Sequence, residues 1–169
     1  MAHVQFELTQ DFDAPPQVVW DELVDWKGHE EWIPATWVEL HGEGEPATLG
    51  AEFTAWSGPF PTTNLGRRLS LQDRMRVDEI EFDAAAGSGS CSVTKLGPTI
   101  TGTAAFTIEP HSAGSRMVWT EDVSVPIAPQ FVAPLLAKIG VAGFRFGMKR
   151  LASQLAERDL AAVPADTAA

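Results

Sequence analysis

The chain has 169 residues, 44% of them apolar and 21% charged, which fits one domain with its own core and excludes a disordered chain. The single Cys91 excludes a disulfide framework and a cysteine-based zinc site. A formal net charge of −11 argues against nucleic acid, whose phosphate backbone needs a positive field.

Residues 3–12 alternate: Val4, Phe6, Leu8 and Phe12 share one face, and His3, Gln5, Glu7, Thr9 and Asp11 the other. A period of two predicts a half-buried strand. Asp13-Ala14-Pro15-Pro16 ends it and suits a helix start, since proline fits the first helical turn. The spacing of Val19, Trp20, Leu23 and Val24 predicts a short helix over about 16–25, and a second over about 26–33 stops at Pro34.

Strand-like runs follow, separated by Gly/Pro turns, at about 35–42, 50–57, 67–83, 90–96, 99–109 and 115–125. The run over 67–83 is long enough to bend or to be two pieces. In 99–109, Ile100, Gly102, Ala104, Phe106 and Ile108 face one way and Thr99, Thr101, Thr103 and Thr107 the other. A long helix is expected over about 130–158, with Ala133, Ala137, Val141, Phe144, Met148, Leu151 and Leu155 forming one apolar stripe. Val132, Leu135, Ile139 and Phe146 form a second apolar group, with core burial its first reading and a dimer contact or a gate over a cavity the others. Pro134, Gly140, Gly143 and Gly147 predict a kink or break in the same half. One domain over 1–160 is expected, with a disordered tail over 161–169.

Helices segregated from consecutive strands joined by short turns give an α+β class with an antiparallel sheet. About seven strands have one apolar face to cover, and the last helix carries the long stripe. The expected architecture is a helix-grip fold: a curved sheet wrapped around the C-terminal helix, with two short helices after strand one. Such an arrangement tends to leave a cavity between sheet and helix.

Several residues carry a resemblance. Asp13-Ala14-Pro15-Pro16-Gln17-Val18-Val19-Trp20, Leu23, Asp25-Trp26 and Trp32-Ile33-Pro34 resemble the opening of the START-like, Bet v 1-like (SRPBCC) superfamily, most closely its bacterial polyketide cyclase/dehydrase and lipid-transport group. Asp73-Arg74-Met75-Arg76-Val77 and Trp119-Thr120-Glu121-Asp122-Val123 fit the same group. The resemblance covers about residues 3–158. It implies the helix-grip fold but no universal catalytic signature, because members differ in function.

The expected function is binding of a hydrophobic small molecule, lipid or polyketide-like, between sheet and helix. Its expected walls are Trp32, Phe53, Met75, Cys91, Phe106, Trp119, Val141, Phe144 and Met148, with Trp32 at the entrance. Trp20 reads as core, and Cys91 as a small core hydrophobe. The alternative is a cofactor-independent cyclase or dehydratase, for which Glu121 and Arg74 are the candidate catalytic groups. Strand alternation leaves two facings for Glu121: inward with Trp119, or outward with Thr120 and Asp122 inside. Arg67, Arg68, Arg74 and Arg76, beside Asp73, Asp78, Glu79 and Glu81, otherwise read as a cross-paired sheet surface. A third reading is an interaction protein whose interior is filled.

Of the four histidines, His3, His29, His41 and His111, His29 is the candidate proton shuttle, and none is spaced for metal ligation. No metal, no cofactor and no nucleic-acid partner is therefore expected. No apolar run approaches eighteen residues and no charged segment precedes an apolar start, so a soluble, cytoplasmic monomer or homodimer without stable membrane insertion is expected. Residues 1–52 hold twelve acids and one base, Lys27, while the rest of the chain holds eleven of each sign. The acidic segment also holds Trp20, Trp26, Trp32 and Trp37, which predicts an acidic rim around an aromatic mouth and a cationic or neutral ligand.

Overall fold

The computed structural model describes residues 1–59 and 62–162. Strand β1 (Ala2–Phe12) leads into helix α1 (Pro16–Val24) and a single turn of helix, α2 (His29–Trp32). Next come β2 (Thr36–His41), β3 (Glu52–Ser57), helix α3 (Asn64–Leu69), β4 (Leu71–Asp83) and β5 (Ser88–Leu96). Strands β6 (Thr101–His111) and β7 (Gly114–Val125) complete the sheet, and a 3-10 turn (Gln130–Val132) leads into helix α4 (Ala133–Ala162).

The seven strands form one sheet in the order β1-β7-β6-β5-β4-β3-β2, every pair antiparallel. Strands β1 and β2 are its two edges, so the chain crosses from one edge to the other through α1 and α2. The ladder of β4 on β5 shifts register between Val77 and Glu79, a bulge that bends a long strand. The curved sheet and the long C-terminal helix are the helix-grip architecture expected from the element order.

Helix α1 buries Val19, Trp20, Leu23 and Val24, the face its spacing predicts. Helix α4 sends Ala133, Met148, Leu151 and Leu155 into the interior. These side chains join Leu8, Phe12, Phe106 and Met117 to make two adjoining core clusters under the sheet's concave face.

Three expectations change. The run expected as strand from residue 67 begins as helix α3, because the Thr63 hydroxyl accepts a hydrogen bond from the Gly66 N–H (2.9 Å) and caps a helical turn. Arg67 therefore leaves the sheet surface, and its guanidinium lies 3.9 Å from the ring centroid of Trp37. Helix α4 runs without the break expected at its glycines, since Pro134 falls in its first turn, where no intrahelical N–H is lost.

Of the second apolar group, Leu135, Ile139 and Phe146 are outside the core, 58%, 59% and 58% exposed, whereas Val132 packs against it. The inward side of the helix is taken by Ala133, Gly140, Phe144 and Met148, which leaves Leu135 and Phe146 turned away and Ile139 beside the cavity. Lys138 and Arg145 interrupt the apolar run, yet by length and composition alone Gln130–Leu160 is apolar enough to cross a membrane. Its described inner face packs on the sheet. Residues 161 and 162 extend α4, and the rest of the tail expected over 161–169 lies outside the described residues.

Candidate functional site

Alternation along the strands aims one set of side chains at the cavity below α4. On β7 the buried set is Met117, Trp119, Glu121 and Val123, with Thr120 and Asp122 exposed, so Glu121 takes the inward of its two facings. Register sets Phe106 opposite Trp119 and opposite Cys91, and Phe53 opposite Met75. These side chains leave a cavity of about 310 Å³ between the sheet and α4. That volume is at the lower end of small-molecule sites. The interior is thus not filled, as the interaction-protein reading requires.

Most of the wall is apolar and aromatic. Trp119 stacks on Phe106 (centroids 5.6 Å, planes 10° apart), and Phe144 of α4 lies 4.9 Å from the Trp119 ring. Trp26 stacks on Phe53 at 4.6 Å. Phe53, Met75, Cys91, Phe106, Trp119 and Phe144 all line the cavity. Burial raises the Cys91 thiol to about 12, helped by the charge of Glu79, so its sulfur is a neutral part of the wall.

Three expected wall residues lie elsewhere. Trp32 is buried between α2 and α4 instead of at the entrance, because Gly147 leaves room for its indole: a Cβ there would lie 3.3 Å from the ring. Met148 is fully buried in the core, one helical turn past Phe144. Val141 is half-buried to one side of the inward stripe, and Leu136, Ile139 and Gly140 line the cavity in its place.

The polar part of the wall centres on Lys95. Its Nζ donates to Asp73 Oδ2 (2.5 Å), lies 3.4 Å from Glu121 Oε2 and approaches Met75 Sδ at 3.9 Å. The other Glu121 oxygen, Oε1, accepts from Trp119 Nε1 (3.2 Å). Small residues make this meeting possible: Lys95 is in register with Gly102, and Glu121 with Ala104, so no bulky side chain stands between β5 and β7. Burial and the neighbouring charge of Asp73 raise the Glu121 pKa, against the lowering pull of Lys95 and of the Trp119 hydrogen bond. Burial works to lower the Lys95 pKa, but the carboxylates of Asp73 and Glu121 more than offset it and hold the ammonium charged. Asp73 Oδ1 is buried and has no hydrogen-bond partner among the described residues.

Neither Lys95 nor Asp73 was singled out from the sequence as a site residue, although alternation carries the signal. Cys91, Val93 and Lys95 share one face of β5, and Asp73 and Met75 one face of β4. Arg74, the neighbour that was singled out, points to the outer face and donates to Glu52 through Nε (3.1 Å) and Nη2 (2.6 Å). It does not reach the cavity, because it is one residue out of phase with Asp73 and Met75.

His29 lines the cavity, donating from Nε2 to the Leu23 carbonyl (2.9 Å). Complete burial lowers its pKa to about 4, so the ring is neutral at pH 7. No acid from residues 1–52 lines the cavity, so the expected acidic rim is absent from its wall. Glu52 pairs with Arg74, Asp11 with Arg116, and Glu22 and Glu31 with Arg158 on the outer surface. The acids that do line it are Asp73 and Glu121. Among the described residues no group of three or more His, Cys, Asp or Glu is placed to hold a metal ion.

The model of the family described as polyketide cyclase / dehydrase and lipid transport matches residues 3–156. Among solved structures, a protein of Helicobacter pylori, jhp0584, superposes with a TM-score of 0.68 at 13% identity, covering 90% of this chain and 86% of its own. NE0264 of Nitrosomonas europaea gives 0.63 at 15% identity, covering 93% and 97%. Ara h 8.0201 gives 0.60 at 16% identity, covering 92% and 99%. At these identities the likeness is one of fold. No curated protein matches the sequence. The chain belongs to the polyketide cyclase/dehydrase and lipid transport family, within the START-like, Bet v 1-like superfamily.

Proposed function

We propose that this protein binds a hydrophobic small molecule, lipid or polyketide-like, in the cavity between the sheet and α4, as a soluble cytoplasmic protein. The observation that carries the reading is the cavity itself, walled by the stacked rings of Phe106, Trp119 and Phe144 with a small polar cluster in the wall. Affinity for an apolar chain comes mainly from buried area, at about 25 cal/mol per Å² before the costs of association. Titration with the fluorescent apolar probe N-phenyl-1-naphthylamine tests it. The wild-type protein gives saturable enhancement. Phe144→Glu places a charge against Trp119, and Ala55→Phe fills the cavity; each abolishes the enhancement while circular dichroism still reports the folded sheet. Undiminished uptake by both folded variants places the probe elsewhere and overturns the reading.

Glu121 and Lys95 support a second reading, a cofactor-independent cyclase or dehydratase. A buried carboxyl held above its usual range beside an ammonium is an acid–base pair inside an apolar cavity. On this reading Glu121→Gln removes turnover of a polyketide-like substrate but keeps its binding. Arg74 takes no part in it.

A further inference from the structure

We infer that the cavity selects ligands whose polar end donates a hydrogen bond, a hydroxyl or an ammonium at the end of an apolar chain, over ligands ending in a carboxylate. This rests on the cavity being a ligand site and names the chemistry of its occupant.

Lys95 has three N–H bonds, and three neighbours surround its Nζ: Asp73 Oδ2, Glu121 Oε2 and Met75 Sδ. Each lysine N–H therefore already has an acceptor within reach before a ligand enters. The Trp119 N–H is directed to Glu121 Oε1. His29 spends its ring N–H on the Leu23 carbonyl. What remains unfilled is an acceptor, Asp73 Oδ1, buried and without a partner among the described residues. A buried acceptor left unsatisfied is costly, so a ligand that supplies a donor gains a hydrogen bond that the protein does not provide there.

Charge points the same way. One ammonium stands between two carboxyl groups, and among the described residues no further Lys or Arg lines the cavity. A carboxylate head would lose its water, face Asp73 and Glu121, and find the sole cation already engaged. A hydroxyl meets no such penalty. An ammonium is opposed only by Lys95 and attracted by both carboxyl groups.

The test is binding of a matched ten-carbon series to the wild-type protein, read by displacement of N-phenyl-1-naphthylamine at pH 8. Its members are decan-1-ol, decylamine, 1-methoxydecane and decanoate. The inference predicts that the alcohol, the amine or both bind at least about tenfold tighter than the ether and decanoate, and the alcohol and amine arms separate the two donor heads. Asp73→Asn turns its carbonyl to Lys95 and presents an NH₂ to the cavity, so in this variant the alcohol-to-ether ratio falls to about one. Equal binding of all four members, or tightest binding of decanoate, overturns the inference and leaves the cavity reading standing. No displacement by any member overturns the cavity reading, and this inference with it.

Discussion

Glu121 and His29 hold the same kind of place, a titratable side chain among rings, and burial moves them in opposite chemical senses. The carboxyl is pushed up and the imidazole down, so in both cases burial acts against the charged form. For His29 this has a pH signature. The unfolded chain takes up the proton as pH falls below about 6.5, whereas the folded ring resists until about 4. Stability linked to this group is therefore complete above pH 6.5 and is lost as pH falls toward 4, by up to about 3 kcal/mol at 1.36 kcal/mol per pKa unit. His29→Gln keeps a donor for the Leu23 carbonyl and does not titrate. Urea unfolding at a series of pH values should show the wild-type free energy falling relative to the variant's across that window. Parallel curves would mean that the ring is not buried in neutral form.

At the scale of elements, most of the architecture was legible because the buried faces follow simple periods. Strand β1, the face of α1 and the alternation of β6 follow from apolar spacing alone. The facing of Glu121 was not, since a one-residue shift inverts a strand and only the pairing of β7 with β1 and β6 fixes it. Lys95 and Asp73 were hidden for a related reason: a charged residue on an alternating strand reads as solvent-facing until its cross-strand partners are known. Helix α3 was hidden because six residues carry too little periodicity to outweigh the strand-like run that follows. The meeting of β5 and β7 depends on Gly102, which sits at φ +128° and whose added Cβ would lie 2.2 Å from the Asp122 carbonyl oxygen. Gly102→Ala is expected to cost more than about 1 kcal/mol in chemical denaturation, as alanine does where φ is positive. A neutral effect would show that the backbone relaxes there and that the spacing of Lys95 and Glu121 is not held by this glycine.

For the whole molecule, the net charge of −11 proves a poor guide to the cavity. The acids of the first 52 residues spread over the outside, many of them paired, while the cavity's own acids come from the part of the chain that is neutral overall. Helix α4 divides the molecule's apolar surface in two, with Phe144 and Gly140 toward the cavity and Leu135 and Phe146 turned away. Leu135→Glu should therefore leave unfolding free energy within about 0.5 kcal/mol of wild type, as for surface positions generally, whereas a core role would cost several times more. The central claim is that an apolar ligand lies inside, against the sheet. Intermolecular NOEs between ¹³C-labelled decan-1-ol and the protein test it most directly. The account predicts NOEs from the alkyl chain to the rings of Phe106, Trp119 and Phe144, and from the carbinol CH₂ to the side chains around Lys95. NOEs confined to Leu135 and Phe146 on the outer side of α4 would contradict it.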